Sequence, residues 1–564
     1  MIQCDFTFLS LCFTPAPADS GFAIFGFAEF LTALALLALV FNSSDFLYQF
    51  RLSVAPLPLK RITFLATATI GAGTLLTDLW FSQRWYAPAW GVSRGVLQGI
   101  LGALFLGTAL LWIWFGFMRP AVFGRWNYKH WYHALYRAVV RGSDTQLAVL
   151  AGELAPSAGP LIRLSKPRPR EGDATPQKPG VEEYAHDTLL LLGNRKLCRH
   201  IVHSSPVTAI VFMEEAARQK RYNVPLGSFA RNITTEALLN RDSILYHEDT
   251  YGADVLGWVQ PFSTALYGDY RLVEGVAGSM DSPLDLPWRV AWEMDGEQFE
   301  AYCRITLITF KSYIETGLYQ GHSYSMYRAI DVIKHAGKDL YTLDNQPIGV
   351  SEREPAKRVR AAVRFITEVI DFLGEQEDLR FGDLRHERRS NIFDDIADAM
   401  YEMIMDAAAV RAPLDTAWSI QHNAVWGRIF GLRTSTAAWR VLSFKLRRRL
   451  FNDIKELETL PNYRGSRALS ICLNTMGLTI HPRNIRDRGQ HALHRAILHW
   501  TKRNYMTLAA VHPPVAEHCL AGGISFEPVR QRLVKTYTQG LSLEPSRHYL
   551  ELDPPREASE DAMT

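Results

Sequence analysis

The stretch "NRDSILYHEDTYGAD" (240–254) gathers Arg241, Asp242, His247, Glu248, Asp249 and Asp254 around two tyrosines and a glycine. Imidazole and carboxylate groups side by side can hold a divalent metal or move a proton. His247, Glu248 and Asp249 are consecutive, and consecutive side chains on a helix diverge by about 100°. They can converge on one ion only in a loop, with Asp242 or Asp254 added. Zinc sites draw their ligands at helical or hairpin spacing, which is absent here. The pattern predicts a structured loop after a helix at 225–240, with Arg241 paired to nearby acids. A catalytic role for His247, Glu248 and Asp249 is the competing reading.

A second acidic set is spelled more sharply. "FDDIAD" places Asp394, Asp395 and Asp398 as DDxxD on an expected helix. Asp394 and Asp398 stand one turn apart, a spacing at which carboxylates can bind Mg²⁺ and hold a diphosphate. These five residues resemble the aspartate-rich motif of all-α prenyl-diphosphate enzymes. The resemblance implies a second acidic motif on a facing helix. "LFNDIKELE" (450–458) offers Asn452 and Asp453, but Glu456 occupies the hydroxyl position and Leu460 the final acid position. The resemblance stops at those five residues. Glu402 and Asp406 continue the acidic stripe at four-residue steps, as a solvated helix face does. Mg²⁺ is therefore expected only if the chain is an enzyme; otherwise no cofactor is. Among His491, His494 and His499, the first two are neighbours on one helix and the third points away. No phosphate-binding glycine loop, nucleophile elbow or H-E-x-x-H is present.

The elements that must position these residues begin in lipid. Apolar stretches at about 22–41, 62–81 and 97–118 each approach the ~20 residues that cross ~30 Å of hydrocarbon. Only Glu29 and Asp78 interrupt them with a charge. Acids inside a membrane point to ion or proton handling, or else reach the headgroups. In the third stretch Gly95, Gly99, Ala103 and Gly107 form a smooth stripe, suited to close packing against the first two spans or a second copy. No Lys or Arg precedes Arg51, whereas Arg119, Arg125, Lys129, Arg137 and Arg141 follow the third stretch. The positive-inside rule then places the N-terminus outside and the rest in the cytoplasm. "FTFLSLCF" lacks the basic start of a signal peptide. "RWNYKHWYHALYRAVVR" (125–141) combines an apolar face with basic residues and is expected to lie in the headgroup layer.

Beyond 162 the reading is a linker at 163–182, rich in proline and charge, followed by helices almost throughout. They are expected at about 183–203, 206–221, 225–240, 297–317, 322–341, 355–375, 391–410, 414–430, 436–458, 464–476 and 489–510. Ser390 is the expected cap of the 391–410 helix. Short strands are expected near 272–276 and 524–527. "LDNQPIGVSERE" (343–354) is the best internal boundary, separating subdomains at 183–343 and 344–556; a disordered tail is expected at 557–564. Six scattered cysteines with no CxxC read as reduced thiols.

The formal net charge is only +3, but its distribution is uneven. From Asp242 to Glu300 there are about 12 acids against 2 bases; from Arg428 to Arg503 about 16 bases against 4 acids. The basic run includes Arg447, Arg448 and Arg449. Mutual neutralisation of the two regions is the first expectation. Anionic lipid or an acidic protein surface is the second, and no motif supports nucleic acid. The sequence thus reads as a mostly α membrane protein with three spans and a large helical cytoplasmic part, in the inner membrane. A non-enzymatic scaffold, sensor or signalling component, self-associating through the third span, is the first reading. An oligomeric channel or transporter using Glu29 and Asp78, and a membrane-tethered metal enzyme, are the alternatives.

Overall fold

The three apolar stretches do not all become membrane-length helices. The computed structural model describes residues 6–8, 11–15, 25–41, 45–88, 93–166, 179–248, 260–277, 281–318, 322–347, 349–376, 391–431, 436–480, 488–537 and 545–554. Helices dominate, and the contacts divide the chain into two compact units, Met1–Pro225 and Leu226–Thr564.

In the first unit two helices are long and apolar enough to cross a membrane: Leu59–Ser82, and Arg94–Ile113 continued by a π-helical stretch to Met118. At 1.5 Å per residue the first is about 36 Å long. The stretch expected to span from 22 forms only Phe27–Phe41, 15 residues and about 22 Å. It starts late because Glu29 and Asp78 cap its N-terminus at Gly26 and Phe27. Beyond it, Asp45 caps a separate helix, Phe46–Val54. The helices meet through close approaches at glycine. A methyl group on Gly71 would stand 2.6 Å from the Phe30 ring, and one on Gly102 3.2 Å from Phe25. Phe30, Leu37, Ile70 and Phe105 form the shared core. Buried Thr67, Thr74 and Thr77 return their hydroxyls to carbonyls of the preceding turn, which satisfies them within the helix. The opposite faces carry bare apolar side chains, such as Phe64, 75% exposed, and Leu106, 59%.

One end of these helices carries a small antiparallel sheet: Phe6–Phe8 pairs with Leu11–Pro15, which pairs with Tyr86–Pro88. The other end is joined to a helical bundle (128–141, 144–153, 158–164, 181–192, 195–204, 206–218). Arg51 grips Glu153 through two hydrogen bonds, of 3.0 and 2.5 Å, and Asn127 donates to the Val54 carbonyl. The 125–141 segment, expected in the headgroup layer, turns its apolar face to the protein itself. The apolar side of Tyr128–Arg141, with Trp131, Leu135 and Val139, is buried in the protein, Trp131 lying edge-on to Phe50 and Phe123. The bent pair Asp144–Glu153 and Ala155–Leu164 is likewise buried through Leu147, Leu150 and Leu161. The linker expected at 163–182 falls largely on 167–178, outside the described residues.

The second unit is helical to residue 518 and ends in the antiparallel sheet Ile524–Glu527, Arg532–Tyr537, Ser546–Glu551. Gly296–Glu315 packs along Glu354–Glu375, and Ile392–Ala407 lies between Tyr324–Lys334 and Ala437–Glu456. Most expected helices are present within a few residues. The expected 183–203 helix is two, broken at Gly193 and restarted by the Asn194 cap. The strand expected at 272–276 is a helix, Tyr270–Val276, because Asp269 caps the Arg271 and Leu272 amides. The segment 344–353 lies inside this unit: Asp344 accepts from the Arg411 and Ala412 amides, and Thr416 bonds the Gln346 carbonyl.

Candidate functional site

Asn391, not Ser390, caps the acidic helix Ile392–Ala407. Its side chain accepts from the Phe393 and Asp394 amides, and Asp394 accepts in return from the Asn391 amide. Ile396, Met400 and Ile404 turn into the core. The acids then fall on one edge at four-residue steps, against a neighbouring helix whose bases are also four residues apart. Lys445 meets Asp394 at 2.5 Å, and Arg449 meets Asp398 and, at 3.8 Å, Glu402. Arg464, from Tyr463–Met476, extends the ladder to Glu402 at 3.3 Å and Asp453 at 3.4 Å. Tyr401 lies beneath it, bonded to Asp453, with the guanidinium carbons of Arg449 and Arg464 4.4 and 5.0 Å from its ring centre. The DDxxD carboxylates therefore already hold two cations, which Mg²⁺ would have to displace. Among the described residues no three His, Cys, Asp or Glu side chains are grouped to hold a metal.

Asp395 takes the other edge and opens onto a cavity of about 220 Å³ lined by Tyr313, His322, Ser323, Tyr327, Asn391 and Ile392. Burial, then the charge of Asp394, pushes its carboxyl above the usual range; His322 and Lys334 pull it back. Further along the helix, burial and then Glu402 raise Asp406 to about 6.

In the 242–254 stretch Glu248 reaches forward to the helix Pro261–Tyr267, and accepts from the Phe262 and Ser263 amides at 2.6 and 3.1 Å and from the Ser263 hydroxyl at 2.8 Å. It is a helix cap delivered from another segment. His247 is exposed beside it. Asp249 and Asp254 lie outside the described residues. Arg241 pairs with Asp295 and, at 3.4 Å, with Glu297. The acidic region is thus neutralised locally, by Arg231 at Asp281 and Arg328 at Asp285 as well, while Lys445 and Arg449 answer the acids of 394–402. These pairs are local; the attraction expected between the two regions is not among them. Within 447–449, Arg448 alone is exposed, and Arg447 bonds the Ser443 carbonyl. His494 bonds the Gly477 carbonyl, and His499 lies apart near Arg503.

Glu29 and Asp78 do come together. Glu29 accepts from the Gly26 amide, and Asp78 accepts from the Phe27 amide at 2.9 Å and from Arg94 and Gln98 at 3.0 Å each. The charge is met by a cation and a helix N-terminus, which removes the cost of an isolated acid. At Gly99 and Gly107 the small-residue stripe faces away from the protein's own helices, with no atom within 4 Å of a methyl group built there, while Gly95 is half-buried. The inward face of that helix is Gln98, Phe105 and Trp112.

Sequence reasoning missed Lys535. It sits mid-strand, 2% exposed, and donates to the Asn474 carbonyl, with Trp418 and Tyr537 rings 5.1 and 4.8 Å away. No described acid pairs with it, and burial pulls it down to about 7. Asn474 donates to Gln421, which lies on the π-helical stretch Ser419–Trp426, and its own Oδ1 meets no described donor. In "RLVKTY" nothing but a lysine amid apolar neighbours announces it. No protein-family model matches the chain, and neither a curated protein nor a solved structure does.

Proposed function

We propose that the chain is a multi-pass membrane protein that anchors a large helical body at the inner face of a cell membrane and acts there as a scaffold or sensor. The observation that carries the reading is a pair of membrane-length helices with bare outer faces, joined by Arg51–Glu153 to a helical bundle. Strand pairing supports a third crossing. Leu11–Pro15 lies against Tyr86–Pro88, so the N-terminal strands share a side with the loop between the two long helices. Leu59 begins at the opposite side. The chain between 16 and 58 then crosses once more, with Phe27–Phe41 as its helical part. Lys60, Arg61, Arg119, Arg125 and Lys129 gather at the far end, which the positive-inside rule assigns to the cytoplasm. Self-association through the outward stripe of Gly99, Ala103 and Gly107 belongs to the same reading.

The acids that suggested an enzyme have structural partners: Asp394 and Asp398 hold the ladder, and Glu248 caps a helix. The channel reading has one observation in its favour, the meeting of Glu29 and Asp78 near one end of the spans. Two experiments separate the readings. Alkaline carbonate washing is expected to leave the chain in the membrane pellet; release into the supernatant overturns the anchoring. Liposomes holding the purified chain are expected to pass no ions. A flux altered by Glu29→Gln would replace the scaffold with a channel.

A further inference from the structure

The two long helices meet the helical bundle at one end, where Leu59 begins one and Met118 closes the other. Between these ends lies a cleft of about 170 Å³ whose lining includes Arg51, Pro56, Phe115, Arg119, Trp126 and Asn127. Arg51 is held by Glu153 and by the Phe117 carbonyl at 2.5 Å, so it shapes the cleft without a free charge. Arg119 differs. It is exposed, its guanidinium stands 5.3 Å from the Phe115 ring centre, and no described acid pairs with it. Lys60, Arg61, Arg125 and Lys129, on the segments that lead into and away from the cleft, are also exposed and lack an acidic partner among the described residues. Five unmatched cations at the ends of apolar helices attract phosphate. Aromatic residues mark the same level: Trp126 is 87% exposed and Trp114 56%. Tryptophan and arginine together suit the headgroup layer, where an apolar body and a polar tip are both solvated.

We propose that this cleft seats the phosphate of an anionic phospholipid, with Arg119 as the anchoring cation and Trp126 lying among the headgroups. The inference rests on the membrane reading above but not on its orientation. Its physical logic is that a cation held beside an aromatic ring and desolvated on one side gains more from a phosphate than a free surface arginine does.

The test uses the full chain in nanodiscs of phosphatidylcholine alone or mixed with phosphatidylglycerol, read by melting temperature and by lipid retained in native mass spectrometry. Phosphatidylglycerol is expected to raise the melting temperature and to be retained selectively. Arg119→Ala should weaken retention about fivefold, the effect of one cation at the surface; Trp126→Ala should weaken it, and Arg119→Lys should restore part. Arg495→Ala, which removes an exposed cation of the second unit, should change nothing. Each variant's melting temperature in phosphatidylcholine alone reports its folding. Equal retention of the two lipids, or equal retention by Arg119→Ala, overturns the proposal. Stabilisation by inorganic phosphate in detergent that Arg119→Ala abolishes, without lipid selectivity, assigns the cleft to free phosphate and overturns it too. Failure of the membrane reading is seen separately, as a chain that stays in the aqueous fraction without lipid.

Discussion

Lys535 carries the most distinctive energetics of any single residue. An amine held near neutrality by burial penalises the folded state whenever it is protonated. Its folded pKa of about 7 lies below the ordinary 10.5. Between those values the unfolded chain binds a proton that the folded chain does not, so stability rises with pH across the window and the penalty is complete below 7. Lys535→Met keeps the contact with Trp418 and Tyr537 and removes the titration. The melting curves of variant and parent, measured from pH 6 to 9, should converge as pH rises, by about 3 kcal/mol in stability; parallel curves would refute the burial account. Glu248 gives a second test. Glu248→Ala removes the acceptor for two amides and a hydroxyl and should cost about 1–2 kcal/mol in urea unfolding, with Glu248→Gln recovering part. A loss of any activity with unchanged stability would return Glu248 to the catalytic reading. Neither role was legible in the sequence. Capping from one segment to the helix of another depends on where a loop goes, and one-sided burial of a lysine depends on what covers its strand.

Among the elements, the ladder between Ile392–Ala407 and Ala437–Glu456 explains why an acidic spelling resembled a metal motif. A stripe at four-residue steps is the same pattern whether it faces an ion, water or a basic helix; only the neighbour decides. The ladder is about one-third exposed at Arg449 and 44% at Asp398, so a double-mutant cycle of Asp398→Ala and Arg449→Ala should give a coupling of only about 0.5–1 kcal/mol, weaker at high salt. Millimolar Mg²⁺ should leave the melting temperature unchanged; a rise abolished by Asp394→Ala would mean that the metal displaces Lys445. Helices were legible because apolar periodicity is local. The strands at 532–537 and 546–551 were not, since their alternation is weak and Lys535 breaks it, and 272–276 was misread because apolar runs that short do not distinguish strand from helix.

Within the first unit a sheaf of apolar helices is joined to a helical bundle, and its glycines separate internal packing from outward surface. Gly99→Leu should leave the melting temperature in detergent unchanged, because nothing lies within 4 Å of a Cβ built there, while splitting any oligomer that uses the stripe. Gly71→Leu should cost about 1–3 kcal/mol by driving into Phe30. The reverse ranking would mean that the stripe packs inside the protein. Membrane character was plain from length and hydropathy, but span number was not. The first stretch is shortened by the caps at Gly26 and Phe27, the second of which depends on Asp78, 51 residues away. The proposed topology puts the N-terminal strands and the C-terminus on opposite sides of a bilayer. The most direct measurement is protease digestion of sealed cells carrying the chain with a different tag at each end. The predicted result is loss of the N-terminal tag and survival of the C-terminal tag until detergent is added. A C-terminal tag cut on intact cells, or both tags surviving, would contradict it.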